Sequence, residues 1–151
     1  MTRVLIVLAI STILMGQVGM STEGLTTIPS NHWPKETMDR LEAAAKAKGM
    51  TVFARIDHAA GAAEVGLALR PTAVLIFGTA KAGTALMQAN QTIGIDLPLK
   101  ALVWQDAQGQ TWLSYNEPAW LVQRHALGHQ AQGAAEPISA GLGAIARAAT
   151  E

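Results

Sequence analysis

The stretch Leu99–Asn116, LKALVWQDAQGQTWLSYN, constrains this chain more than any other. Two strand-forming runs flank Asp106-Ala107-Gln108-Gly109, which fits a type I turn followed by a glycine in the left-handed region. With that bulge, Trp104 sits opposite or close to Trp112. A hairpin among strands that fall outside a β-α-β rhythm favours an α+β fold over a doubly wound sheet.

The rest of the pattern supplies the partners. Glu23–Asn31 reads as an opening strand. A helix follows from Pro34, which suits a first turn, through Met38, Leu41 and Ala45 at helical spacing, to a stop at Gly49. Met50–His58 alternates, with Val52, Ala54 and Ile56 opposite Phe53 and Arg55. Ala59–Leu69 is a short helix weakened by its glycines. Thr72–Gly78 is continuously apolar, the pattern of a strand buried on both faces. Lys81–Asn90 is helical, and Thr92–Pro98 is a connector. Pro118 opens another helix, Gly128–Ala135 reads as a linker, and Pro137–Ala149 makes a last helix. No internal repeat is present.

With 151 residues, half of them hydrophobic and 15% charged, the chain suits one domain with a real core. Eleven Lys and Arg balance eleven Asp and Glu, without the basic excess common in nucleic-acid binders. The absence of cysteine excludes disulfides, thiolate metal sites and cysteine nucleophiles. At the N-terminus, Arg3 precedes an apolar run, Val4–Met15, the length of a signal-peptide core and short for a membrane span. Gly19 and Ser21 match a cleavage site loosely. Residues 1–21 are thus read as an export signal, with an uncleaved anchor or a structural element as alternatives. The expected product is a periplasmic or secreted domain over residues 22–151, touching membrane only if that segment stays.

Several patterns could carry chemistry. Gly78 and Gly83 have the spacing of a phosphate-binding loop, but that motif needs lysine directly after the second glycine. Thr84 stands there, and Lys81 lies earlier, so nucleotide hydrolysis is excluded. A helix starting near Lys81 could still hold an anion through its amides and dipole. The bland alternative is a tight turn with a solvated lysine. In Arg55-Ile56-Asp57-His58, neighbouring Asp57 and His58 point to opposite faces as long as the strand continues. His58 could act as an acid or base with Asp57 or Asp96, or as a haem ligand with Met87. It could equally cap the next helix.

His125 and His129 have i, i+4 spacing, but Gly128 interrupts it and no acid falls between, so no metal site is expected. No G-x-S-x-G surrounds Ser114 or Ser139. Asp57, Asp96 and Glu117 are the acids near strand ends. Trp104, Trp112 and Tyr115 form an aromatic patch suited to packing or a dimer interface, with ligand stacking the lesser use.

Arg55-Ile56-Asp57-His58, Leu69-Arg70-Pro71-Thr72, Phe77-Gly78, Lys81-Ala82-Gly83-Thr84-x-Leu86-Met87, Asp96-Leu97-Pro98-Leu99-Lys100 and Tyr115-Asn116 together resemble the bacterial family called domain of unknown function 302, from Gly24 to about Leu127. The resemblance implies an antiparallel sheet of four to five strands with helices on one face. Its topology would be β-α-β(4)-α, like the TATA-box-binding protein, and its assembly a homodimer. It transfers no activity, and fold alone does not imply DNA binding. Family members carry Asn-Pro where this chain has Thr79-Ala80, and proline at Ala85, so the loop is expected to be less constrained here. The leading expectation is a small molecule or anion bound in a cleft walled by His58, Lys81, Thr84, Met87, Asp96 and Lys100. The alternatives are an enzyme using His58 and an interaction module without a ligand.

Overall fold

The computed structural model describes residues 22–151. The export segment expected at the N-terminus lies outside them.

Five strands form one antiparallel sheet: β1 (Leu25–Pro29), β2 (Thr51–Asp57), β3 (Thr72–Gly78), β4 (Leu99–Gln105) and β5 (Thr111–Asn116), in spatial order β1-β5-β4-β3-β2. Helix α1 (Pro34–Ala47) joins β1 to β2, and α2 (His58–Glu64) joins β2 to β3. Helix α3 (Ala80–Ala89) and a 3-10 turn (Gln91–Ile95) lead to β4. After β5 come α4 (Pro118–Arg124) and the long α5 (Gly128–Thr150). The β-α-β(4)-α skeleton is therefore β1, α1, four further strands and α5, with the other helices set into its connections.

The hairpin closes as the sequence dictates. Trp104 pairs with Trp112 in register, and their rings stack with centroids 6.1 Å apart. Gly109 adopts φ +83°, and the Asp106 carboxylate accepts the amides of Gln108 and Gln110, each at 2.9 Å. Glycine takes that φ without the cost a Cβ would add.

Alternation then sorts the sheet into two faces. Leu75, Phe77, Ala101, Val103 and Leu113 pack beneath the helices and are fully or almost fully buried. They meet Met38, Leu41 and Ala45 of α1 and Leu142, Ile145 and Ala149 of α5 in one core. The opposite face, with Val74, Ile76, Leu102, Trp104 and Trp112, meets no long helix among the described residues and is only half-buried. Among the described residues β3 is thus covered on one side only, the side on which the long helices α1 and α5 build the core.

Three further local expectations give way to tertiary structure. A bulge between Val52 and Ala54 breaks strict alternation in β2, so Val52 opposes Phe77 and Arg55 opposes Leu75 on the helix side. Arg55 there meets Asp39 and Glu42 of α1 at 2.6 and 3.6 Å. Hydrogen bonds from Lys35 first, then from Arg55, hold the Asp39 carboxyl below its ordinary range. Next, the supposed linker Gly128–Ala135 is helical. α5 runs through Pro137 because buried Ala131 and Ala135 dock its first turns on the core. Finally, Ala85 lies inside α3, where alanine is the best helix former and proline would remove a backbone hydrogen bond, whereas Ala80 is the first helical residue, a position that takes proline equally well.

Candidate functional site

β3 delivers the chain to α3 at Thr79, whose side chain caps the helix by accepting the Ala82 amide at 3.3 Å. Beside this junction lies a cavity of about 470 Å³. Residues 81–83, Ala85 and Leu86 of α3 form one wall; Ala134, Pro137 and Ile138 of α5 form another. Ile93, Leu97 and Pro98 of the connector, with Pro118 and Leu121 of α4, complete it. Among the described residues Lys81 is the one charged residue lining it, and its side chain is exposed to solvent. Gly83 faces Leu97 and Met87, which a Cβ there would meet at the ordinary contact distances of 3.8 and 3.9 Å.

The six residues expected to share one cleft occupy separate places. Lys81 lines the cavity. Thr84, on the same helix, is exposed and lies outside the lining. Met87 packs between Gly83 and Gly94 against the core. Asp96 is bound elsewhere, as described below. Lys100 lies in β4 opposite Ile76, on the open face, with its Nζ donating to the carbonyls of Asp96 and Pro98 at 3.2 and 3.1 Å.

His58 is the furthest displaced. It follows Asp57, which pairs with Ala73, whereas α3 starts beyond Gly78 at the other end of β3. Five residues of strand separate those ends, about 17 Å at the usual rise. His58 therefore does not share a site with Met87 for haem, or with Asp96 for acid–base work. Asp57 is committed as well: the strand ends there, and its Oδ1 accepts the Ala60 amide at 2.9 Å as the α2 cap. Asp57 takes the capping role considered for His58.

Asp96 instead pairs with His125, which sequence reading passed over. The carboxylate accepts, so Nε2 carries the proton and donates to Asp96 Oδ2 at 2.6 Å. The other ring nitrogen, Nδ1, lies 2.9 Å from the Thr92 hydroxyl, and Asn90 Nδ2 donates to the His125 carbonyl at 2.7 Å. Arg124 stands 3.6 Å from Asp96 and 5.4 Å above the Trp120 ring. This cluster ties the connector to the end of α4, the two segments that supply Ile93, Leu97, Pro118 and Leu121 to the cavity. Nothing in a sequence announces a pair 29 residues apart across a loop and a helix end. His125 ends α4, and Ala126 at φ +52° then turns the chain, so His125 and His129 do not share a helix. Among the described residues no group of three or more His, Cys, Asp or Glu is placed to hold a metal.

The open face carries a second, larger concavity of about 1050 Å³, lined by Leu25, Val74, Lys100, Leu102, Trp104 and Trp112 among others. Both indoles are anchored: Trp104 Nε1 donates to Ser114 Oγ at 2.9 Å, and Trp112 Nε1 to Asp106 Oδ2 at 2.7 Å. The Trp112 bond is the main reason the Asp106 carboxyl sits below its ordinary range. Tyr115 borders this concavity, but its ring is turned away from the two indoles. It pairs with Ala101 on the helix-covered side, where burial, and then the Glu117 charge, raises its phenol above the ordinary value.

Fold and site together define a small α+β domain with helices on one face of its sheet and a cavity at that face's end. The family profile for domain of unknown function DUF302 matches residues 26–145, and the chain belongs to that family. The crystal structure of uncharacterized conserved protein DUF302 from Bacillus stearothermophilus superposes with a TM-score of 0.75. It covers 85% of this chain and 99% of its own at 24% identity, which shows the shared fold. Two curated relatives are 49% identical over 124 residues, 82% of this chain. They are Fluoride-specific ion channel FluC 1 of Brucella suis biovar 1 (strain 1330) and FluC 2 of Brucella melitensis biotype 1. The chain spans about half their length, 49% and 46% respectively. No helix among the described residues is long and apolar enough to cross a membrane.

Proposed function

We propose that this chain is a small-molecule-binding domain whose ligand occupies the cavity between α3 and α5. The observation that carries this reading is an apolar chamber of about 470 Å³ with one charged residue, Lys81, in its lining. Ligand sites combine this size with an apolar wall and few polar groups. The ion named for the Brucella relatives suits the chamber poorly. Fluoride is small and strongly hydrated, and an apolar wall returns almost none of the hydration it would lose. The channel activity named for those proteins is no part of this proposal.

The test is native mass spectrometry of protein purified from its own source. A retained small molecule is expected, and Ala134→Phe, which fills the chamber from α5, should release it while leaving the circular dichroism spectrum intact. Retention of the same mass by the filled variant would contradict the reading.

The open face favours a second, compatible reading, in which two copies associate through the Trp104–Trp112 hairpin. The half-buried apolar strip along β3, β4 and β5 supports it, as do the fixed indoles, because aromatic residues are enriched at such interfaces. Trp104→Ala should then move the protein towards monomer in light scattering. An unchanged mass would exclude this face.

A further inference from the structure

We infer that the cavity's ligand is a monoanionic amphiphile: one compact or chain-like hydrocarbon body bearing a single carboxylate or comparable acid group. The inference rests on the cavity being the binding site, and it names what that site selects.

The lining divides sharply by chemistry. Leu86, Ile93, Leu97, Leu121 and Ile138 present only carbon and hydrogen. Thr79 is the one hydroxyl residue in that lining; its oxygen accepts the Ala82 amide and its O–H sits at the junction beside Lys81, leaving the remainder of the wall without a side-chain hydrogen-bonding group. A polar ligand body would therefore leave its water without finding replacement partners, at a cost of roughly 1–3 kcal/mol for each unmet group. A hydrocarbon body pays no such penalty and gains about 25 cal/mol for every Å² it buries.

The head group follows from Lys81. It is the one cation of the lining, no carboxylate shares the wall, and no ion pair occupies its Nζ among the described residues. Because Lys81 is exposed, it marks the solvent end of the chamber. An acid group can thus stay hydrated there while pairing with the ammonium. A dianion would find one countercharge, and a cationic head would meet repulsion. The first turn of α3 adds in the same sense, since its dipole end faces the junction where Lys81 stands.

Calorimetric titration with decanoate, decanol, decylamine and acetate, all below micelle-forming concentrations, tests this. Decanoate should bind about five-fold tighter than decanol, the scale of one solvent-exposed ion pair. Decylamine should bind more weakly than either, and acetate not measurably. Lys81→Met should erase the preference for decanoate while leaving decanol affinity unchanged, and Ala134→Phe should abolish both. Decylamine equal to decanoate, a preference surviving Lys81→Met, or acetate competing with decanoate would each overturn the inference. If no ten-carbon probe binds while Ala134→Phe still releases the molecule retained in native mass spectrometry, the amphiphile fails and the binding site stands. If Ala134→Phe releases nothing and leaves decanoate binding intact, the site itself fails.

Discussion

The two faces of the sheet are built from the same five strands by the same alternation, yet they end in different states. Phe77 and Ile76 are neighbours on β3; Phe77 is fully buried in the core on the helix-covered side, while Ile76 remains half-exposed on the open side. The covered face gains the core and, at its end, a chamber walled by three helices and a connector. The open face gains a broad shelf with two indoles fixed by Ser114 and Asp106. An apolar strand residue by itself does not say which of these it will join. What covers the face decides.

Phe77→Ala against Ile76→Ala breaks or sharpens that contrast most strongly. Chemical denaturation should show a loss of about 3–5 kcal/mol for the first, the usual cost of emptying a buried aromatic site. The second should cost less than half as much. Equal losses would mean that the open face is covered in solution, which also bears on association of two copies.

A smaller effect is expected where β1 meets α4. Gly24 holds φ +75°, and a Cβ there would lie 2.2 Å from the Trp120 ring. Gly24→Ala should cost about 1–3 kcal/mol through left-handed strain alone, more if Trp120 is displaced. The loss should appear in thermal unfolding without changing the hairpin's indole environment.

The Asp96–His125 pair is next. In a double-mutant cycle with Asp96→Asn and His125→Ala, a coupling of about 1–2 kcal/mol is expected for contacting groups in one network. Because the pair ties the connector to α4, each single variant should also weaken decanoate binding, whereas Trp104→Ala should not. Decanoate affinity that follows the hairpin instead would reverse the assignment of the two faces.

The smallest effect is a pH response on the open side. Asp106 has a lower carboxyl pKa folded than unfolded, so its contribution to stability is present above the unfolded value of about 3.9 and fades as pH falls through the folded one. Trp112 emission should therefore change below the ordinary aspartate range, and Asp106→Asn should remove that step.

Much of the fold was legible because local signals agreed with one another. Pro34 and the Met38, Leu41 and Ala45 stripe marked α1, and Asp106 to Gly109 set the register that stacks Trp104 on Trp112. Less was legible wherever tertiary contact overrode the local pattern. Pro137 looks like a helix start, yet burial of Ala131 and Ala135 carries α5 back to Gly128. Strict alternation in β2 hides the bulge that turns Arg55 towards α1. The candidate site was legible only in Lys81 and the glycine-bounded segment around it. His58 belonged to the same family signature, but antiparallel pairing sends it to the far end of β3. Asp96 was singled out, while its partner His125 became visible only when α4 folded back on the connector.

The most direct measurement is a crystal structure of the protein with 10-bromodecanoate, using bromine anomalous scattering to locate the chain end. Bromine is expected inside the chamber between α3 and α5, with the carboxylate at Lys81 Nζ. Bromine over the Trp104–Trp112 shelf, with the α3 chamber empty, would contradict it.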